Sequence, residues 1–193
     1  MGRRLRVLGD LRVQAVRREG VVVRHTIVKA DGSVHERSDS FLRLRSPGTG
    51  RTYAYLLVDH LRWLDFSGLT SESVSMSELQ GYMGLLGADF PGPRGVAWRQ
   101  DKPPLGPASL KAMAACLKAF YLHQGAVGAN RDLAEALRET RLPRTVDRRR
   151  SFLGHTLRSV PNNPLAPTHP HRRHPKLPPE GARKTLVDAM ISS

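Results

Sequence analysis

A single cysteine, Cys116, excludes an internal disulfide, and the small residues around it predict a buried thiol rather than a nucleophile. Long apolar runs are missing as well. No stretch approaches the ~18–20 apolar residues that span a bilayer, so no membrane partner of that kind is expected. The charged start at Arg3, Arg4 and Arg6 is interrupted by Asp10, Arg12 and Arg17 where a signal peptide would carry its apolar core. A cytoplasmic protein is the expectation. Aromatic residues make up only 6%, while 14 Pro and 17 Gly assign much of the length to turns and linkers around one domain of ordinary size. Acids are scarce too: 17 Asp and Glu face 31 Lys and Arg, and the net charge of +14 exceeds what solubility needs. A polyanionic partner follows, either DNA, RNA or an anionic membrane surface.

The strongest local signal is Ser46 to Phe66. Ser46 can accept from the free N–H groups of a helix start, and Pro47 suits the first helical position because its missing N–H would be unpaired there. At 100° per residue Tyr53, Leu57, His60, Leu61 and Leu64 share one face, with Leu56 and Trp63 on its flank, and this is the face expected to be buried. Arg51, Tyr55, Val58 and Arg62 fall opposite, placing two guanidiniums beside an aromatic ring. Such a face can meet phosphates, although most charged stripes are only solvated surface.

Before this helix, Asp31-Gly32 lies between β-branched runs and predicts a hairpin spanning residues 20–36, since both residues tolerate the positive φ of a tight I′ turn. Ser38-Asp39-Ser40 is read as the cap of a short helix through Phe41, Leu42 and Leu44. After Gly68, Ser75 and Glu78 form a capping box ahead of a second long helix with Leu79, Tyr82, Met83 and Leu86 on one face. Gly81 and Gly84 weaken it, and close helix packing is their expected reason. Residues 87–106 hold four prolines and four glycines and read as a loop. Pro107 opens a third helix to Gln124, with Gly125 as its stop. Its apolar stripe is Leu110, Met113, Ala114, Leu117, Phe120 and Tyr121, while Lys111 and Lys118 share another face. Asn130 caps a short helix through Leu133 and Leu137.

From Arg141 to Lys176 nine Lys or Arg stand against the single acid Asp147, so this stretch reads as an extended basic linker that tracks phosphates, Arg148, Arg149 and Arg150 among its cations. A final amphipathic piece after Pro178 and Pro179 places Leu186, Val187 and Met190 together. No metal is expected: His155, His169, His171 and His174 lie among prolines with no fixed framework for tetrahedral geometry. No other cofactor or small-molecule substrate is indicated.

The ordered set Ser46, Pro47, Thr49, Tyr53, Leu57 and Leu64, then Ser109, Lys118, Phe120 and Tyr121, then Gly125 and Asn130, resembles the N-terminal core-binding domain of tyrosine recombinases, the phage integrases. Asp31, Gly32, Phe41 and Leu42 resemble the lead-in of some of its members. The resemblance covers roughly residues 26–193. Leu56, Arg131, Ala112 and Met113 depart from it, the last two standing where a pair of arginines often sits. It implies a mainly α fold: a small four-helix SAM-like bundle with an N-terminal β-hairpin and an extended basic C-terminal linker. The implied organisation is an N-terminal segment (1–45), a core-binding domain (46–140), a basic linker (141–178) and the start of a catalytic domain (179–193).

In that family a catalytic domain with two arginines, a lysine, His-x-x-Arg and a nucleophilic tyrosine cleaves DNA. Here all four tyrosines, 53, 55, 82 and 121, precede residue 122, and His169-Pro170-His171-Arg172 matches the motif only as a string. The resemblance therefore implies a truncated, non-catalytic integrase. Its partners would be double-stranded DNA and full-length integrase protomers, and its DNA contacts Arg51, Tyr55, Arg62, Ser109, Lys111 and Lys118. Such a protein would be nucleoid-associated when DNA-bound. An RNA-binding or ribosome-associated basic protein, or the partly folded product of a decayed gene, remain alternatives.

Overall fold

The first described element is a pair of antiparallel strands, β1 (Arg12–Arg18) and β2 (Val21–Val28), joined through Glu19 and Gly20. This computed structural model describes residues 11–87, 104–141 and 158–166, and the isolated positions 145 and 149. Glu19 and Gly20 both take positive φ, 52° and 81°, as an I′-type connection requires. The hairpin thus lies one strand earlier than its Asp31-Gly32 signal suggests. Val21–Val28 is its second strand, and the missed first strand hides its pattern under charge. Val13 and Ala15 point toward the protein while Arg12 and Gln14 face out, and a bulge at Val16/Arg17 breaks the alternation. Asp31-Gly32 still forms a tight turn, with Gly32 at φ 81° and its N–H donating to the Lys29 carbonyl at 3.0 Å. Beyond it only one bridge, Val28 to Val34, continues the sheet.

Among the described residues five helices follow: α1 (Glu36–Leu42), α2 (Pro47–Ser67), α3 (Met76–Gly87), α4 (Pro107–Ala126) and α5 (Arg131–Leu137). The described chain is thus mainly helical with an N-terminal hairpin. The cap of α1 is His35, whose ring Nδ1 accepts from the Ser38 N–H, and Ser38 and Asp39 are buried inside the helix rather than capping it. Asp39 is needed there. Its carboxylate accepts from Arg24 Nη1 at 2.5 Å, Thr26 Oγ1 at 2.7 Å and Arg43 Nε at 2.7 Å, which ties β2 to α1. Burial works to raise its pKa, but these hydrogen bonds and the Arg24 charge outweigh it and hold the carboxyl below its ordinary range.

The long helix α2 starts and ends where the sequence places it. Ser46 accepts from the Thr49 N–H, Pro47 takes the first position, and Gly68 at φ 69° closes the end while Leu69 N–H returns to the Leu64 carbonyl. Leu57, His60, Leu61, Trp63 and Leu64 are buried, and Tyr53 and Leu56 are half-buried. Val58, expected on the open face, is only 7% exposed because the hairpin packs on that side of α2.

The capping box of α3 forms: Ser75 N–H donates to Glu78 Oε2 at 2.7 Å, and Glu78 N–H to Ser75 Oγ at 3.3 Å. Leu79, Tyr82, Met83 and Leu86 enter the core. Gly81 and Gly84 do not serve close packing, since a Cβ at either would meet open space. The glycine that does is Gly125, where a Cβ would lie 2.2 Å from that of Ala134 on α5. Consequently α4 runs through Gly125 to Ala126, and the break comes at Gly128, φ 90°. Asn130 caps α5 and its amide also donates to the carbonyls of Ser71 and Val74 at 3.1 and 2.8 Å, fixing the α2–α3 connection. Part of the basic linker is not free: Val160–Pro161 (β4) pairs with Thr140–Arg141 (β3), and Leu165 is buried in the common core. Among the described residues no helix is long and apolar enough to cross a membrane.

At the centre of the bundle His60 is fully buried, its Nε2 2.7 Å from the Tyr121 hydroxyl and its ring among Trp63, Tyr82 and Tyr121. Burial lowers its pKa to about 3. Below pH 6.5 the unfolded chain takes up a proton there that the folded chain refuses, so stability is complete above pH 6.5 and declines toward pH 3. The expected loss is about 1.4 kcal/mol per pH unit in that window, read from urea midpoints. A His60→Gln variant should show a flatter profile between pH 6.5 and about 4. Asp39→Asn, which weakens the clamp between β2 and α1, is expected to lower stability by about 1.5–3 kcal/mol at neutral pH.

Candidate nucleic-acid interface

Five of the described cations are answered by acids or an aromatic ring within the fold. Arg24 and Arg43 meet Asp39, Arg37 meets Glu72, Arg138 meets Glu135, and Arg45 lies 4.5 Å over the Phe41 ring. Those left over define where a polyanion could be held.

On α2, Arg51 and Tyr55 are four residues apart on one exposed side, Tyr55 at 58% exposure. On α4, Ser109 and Lys111 are exposed near the helix start. There Gly106 is the N-cap and offers no side-chain acceptor, so the first-turn N–H groups are not capped by it. None of these four side chains has a hydrogen-bond or ion-pair partner among the described residues. The N-terminal turns of both long helices therefore carry cations without a partner among the described residues beside hydroxyl groups, and the helix dipole adds to the positive potential.

Two expected contacts are placed differently. Arg62 is half-buried, and its Nη2 donates to the Leu11 carbonyl at 3.2 Å, because the hairpin that covers Val58 also reaches Arg62. Lys118 is half-buried and its ammonium donates to the Asn162 carbonyl, so it anchors part of the linker instead of facing solvent. Burial lowers the Lys118 pKa, with Glu139 acting in the opposite sense. Arg149 is exposed with helical backbone, unlike the extended linker expected, while Arg148 and Arg150 lie outside the described residues, as does most of the 87–106 loop. The histidines at 155, 169, 171 and 174 also fall outside them.

Two further cations gather near Arg62 without a signal in the helical faces. Arg12 on β1 and Lys29 after β2 come to the same side as Arg62. The available clue was the alternation of Val13 and Ala15 with outward polar residues, which charge at Arg12, Arg17 and Arg18 obscured. The lone cysteine is, as expected, buried, and burial raises its thiol pKa far above the ordinary range. Comparison with known protein families, with curated proteins and with solved structures finds no match.

The placement of Lys118 gives it a structural task. Lys118→Ala is expected to speed amide exchange at Asn162 and its neighbours and to lower stability by about 1 kcal/mol. Affinity for nucleic acid should stay within about twofold, because an ammonium already held by a carbonyl neutralises no phosphate.

Proposed function

We propose that this chain is a duplex-DNA-binding module, of the kind that forms the SAM-like core-binding half of tyrosine recombinases, and that it does not itself cleave DNA. The observation that carries this reading is the set of exposed groups Arg51, Tyr55, Ser109 and Lys111, without a partner among the described residues, on the N-terminal turns of α2 and α4 in a chain of net charge +14. Phosphate contacts from cations, hydroxyls and helix starts supply most of the affinity of such modules and little sequence readout.

The family-like residues have roles consistent with it. Ser46 and Pro47 start α2, Phe120 and Tyr121 fill the core beneath α4, and Asn130 caps α5. Met113, at a position where the family often has arginine, is fully buried, which leaves Ser109 and Lys111 as the contacts of α4. The tyrosines favour a binding role over a cleaving one. Tyr82 and Tyr121 are buried and Tyr53 is half-buried. Tyr55 is exposed, and among the described residues no group hydrogen-bonds its hydroxyl to activate it as a nucleophile. Burial of Trp63, Phe120 and Tyr121 removes the stacking surface that a reader of single-stranded RNA would need from them.

Binding of the whole chain to a short duplex across a salt series tests this. With Arg51→Ala and Lys111→Ala combined, the slope of log K against log salt is expected to fall by about 1.8, or about 0.9 for each phosphate no longer neutralised. An unchanged slope would move binding away from these two helices and overturn the assignment.

A further inference from the structure

Between the base of the hairpin and α2 lies a cleft of about 280 Å³ whose polar side chains are all cationic: Arg12, Lys29 and Arg62. Leu11 and Ala30 complete its wall. The three charges come from positions 12, 29 and 62, so only docking of the hairpin on α2 brings them together. Like charges placed side by side repel, and the fold offers them little relief. Arg12 and Lys29 have no side-chain hydrogen bond or ion pair among the described residues. Arg62 spends Nη2 on the Leu11 carbonyl, and its Nε is buried without a described partner. An anion seated in the cleft would offset the mutual repulsion of the three cations.

The cleft opens into a wider cavity of about 640 Å³, where Leu61, Leu64 and Leu69 provide an apolar wall. Acids reach that wider part: Glu72 is paired with Arg37, Asp31 is tied to Ser33 N–H at 2.8 Å, and Asp65 lies further along α2. None of them lines the narrow end. A compact anion is thus favoured at one end and repelled at the other.

We propose that the Arg12, Lys29 and Arg62 cleft is a binding site for a phosphate group. Arg62 and Arg12 supply forked N–H donors, and Lys29 supplies a point charge. Two sources carry that chemistry: a phosphodiester of the DNA backbone, in which case the site extends the interface proposed above and rests on that reading, or a free phosphorylated small molecule.

The test follows the Arg62 Nε–H resonance in the ¹⁵N-labelled full chain, titrated separately with inorganic phosphate and with a short duplex at low salt. The signal is expected to move. Movement with both ligands assigns a free-phosphate site, and movement with the duplex alone assigns a DNA-backbone contact. In Arg12→Gln/Lys29→Gln, both at exposed positions, the midpoint of the responsive titration should rise about tenfold or more. Unchanged far-ultraviolet circular dichroism and melting would show that the hairpin stays docked in that variant. A static Nε–H signal in both titrations, or a midpoint unmoved by the double substitution, would overturn the proposal. The two readings fail separately. A duplex bound through Arg51 and Lys111 with Arg62 silent in both titrations sinks the cleft alone, and a response to phosphate without duplex binding sinks the DNA reading alone.

Discussion

Everything in this fold depends on α2 being covered from two sides. One side of the helix faces α3 and α4 through Leu57, His60, Trp63 and Leu64, and the hairpin covers Val58 on the other. A two-stranded ribbon is marginal alone in water, and a helix with an uncovered apolar side is equally incomplete. Each solves the other's problem. Ile27 from β2 and Phe41 from α1 belong to the same buried cluster as α2 and α4, with Phe41 edge-on to Phe120 and parallel to Tyr53. Asp39 holds the arrangement by satisfying Arg24, Thr26 and Arg43 at once. The N-terminal segment is therefore part of the core that positions the helix.

That constraint also sorts the charges. A chain with so few acids cannot pair every cation, and the acids present are used where segments must be joined: Asp39 between β2 and α1, Glu72 opposite Arg37 between the α2–α3 connection and α1. Exposed pairs of this kind contribute little stability, while the Asp39 node, with its carboxylate buried, contributes more. Among the cations that remain without a described partner are Arg51 on α2, Lys111 on α4, and Arg12 and Lys29 at the base of the hairpin. Self-repulsion among those groups opposes folding, so their persistence outside any internal ion pair is easier to understand if a polyanion neutralises them.

Much of the bundle was legible in the sequence because its signals are local. Ser46-Pro47, Ser75 with Glu78, and Asn130 each act within one helical turn, and the stripes on α2, α3 and α4 need only a period of about 3.6. Several of the failures share a physical cause: they depended on a partner beyond the local helical turn. β1 was missed because a half-buried strand tolerates Arg12, Arg17 and Arg18 on its outer face. Ser38 and Asp39 look like cap residues, and only Arg24 and Thr26 explain why Asp39 is drawn inside. Gly125 looks like a stop until Ala134 is seen packed against it. For the candidate interface, Arg51, Tyr55 and Lys111 could be read from helical faces, and Ser109 from the family resemblance. The displacement of Arg62 and Lys118 could not, since Leu11 and Asn162 are 51 and 44 residues away.

The displacement of Arg62 has a further consequence for how binding and folding are linked. Its guanidinium fastens the base of the hairpin through the Leu11 carbonyl, and it also lines the cleft with Arg12 and Lys29. An anion seated there touches groups from both sides of the hairpin–helix junction and has no comparable site in the unfolded chain. It must therefore stabilise the docked hairpin in proportion to its occupancy. The same docking buries Val58 and holds α2, whose first turns carry Arg51 and Tyr55. Neutralising the cleft and presenting the helix face are thus coupled through one packed junction, with no need for a change in shape.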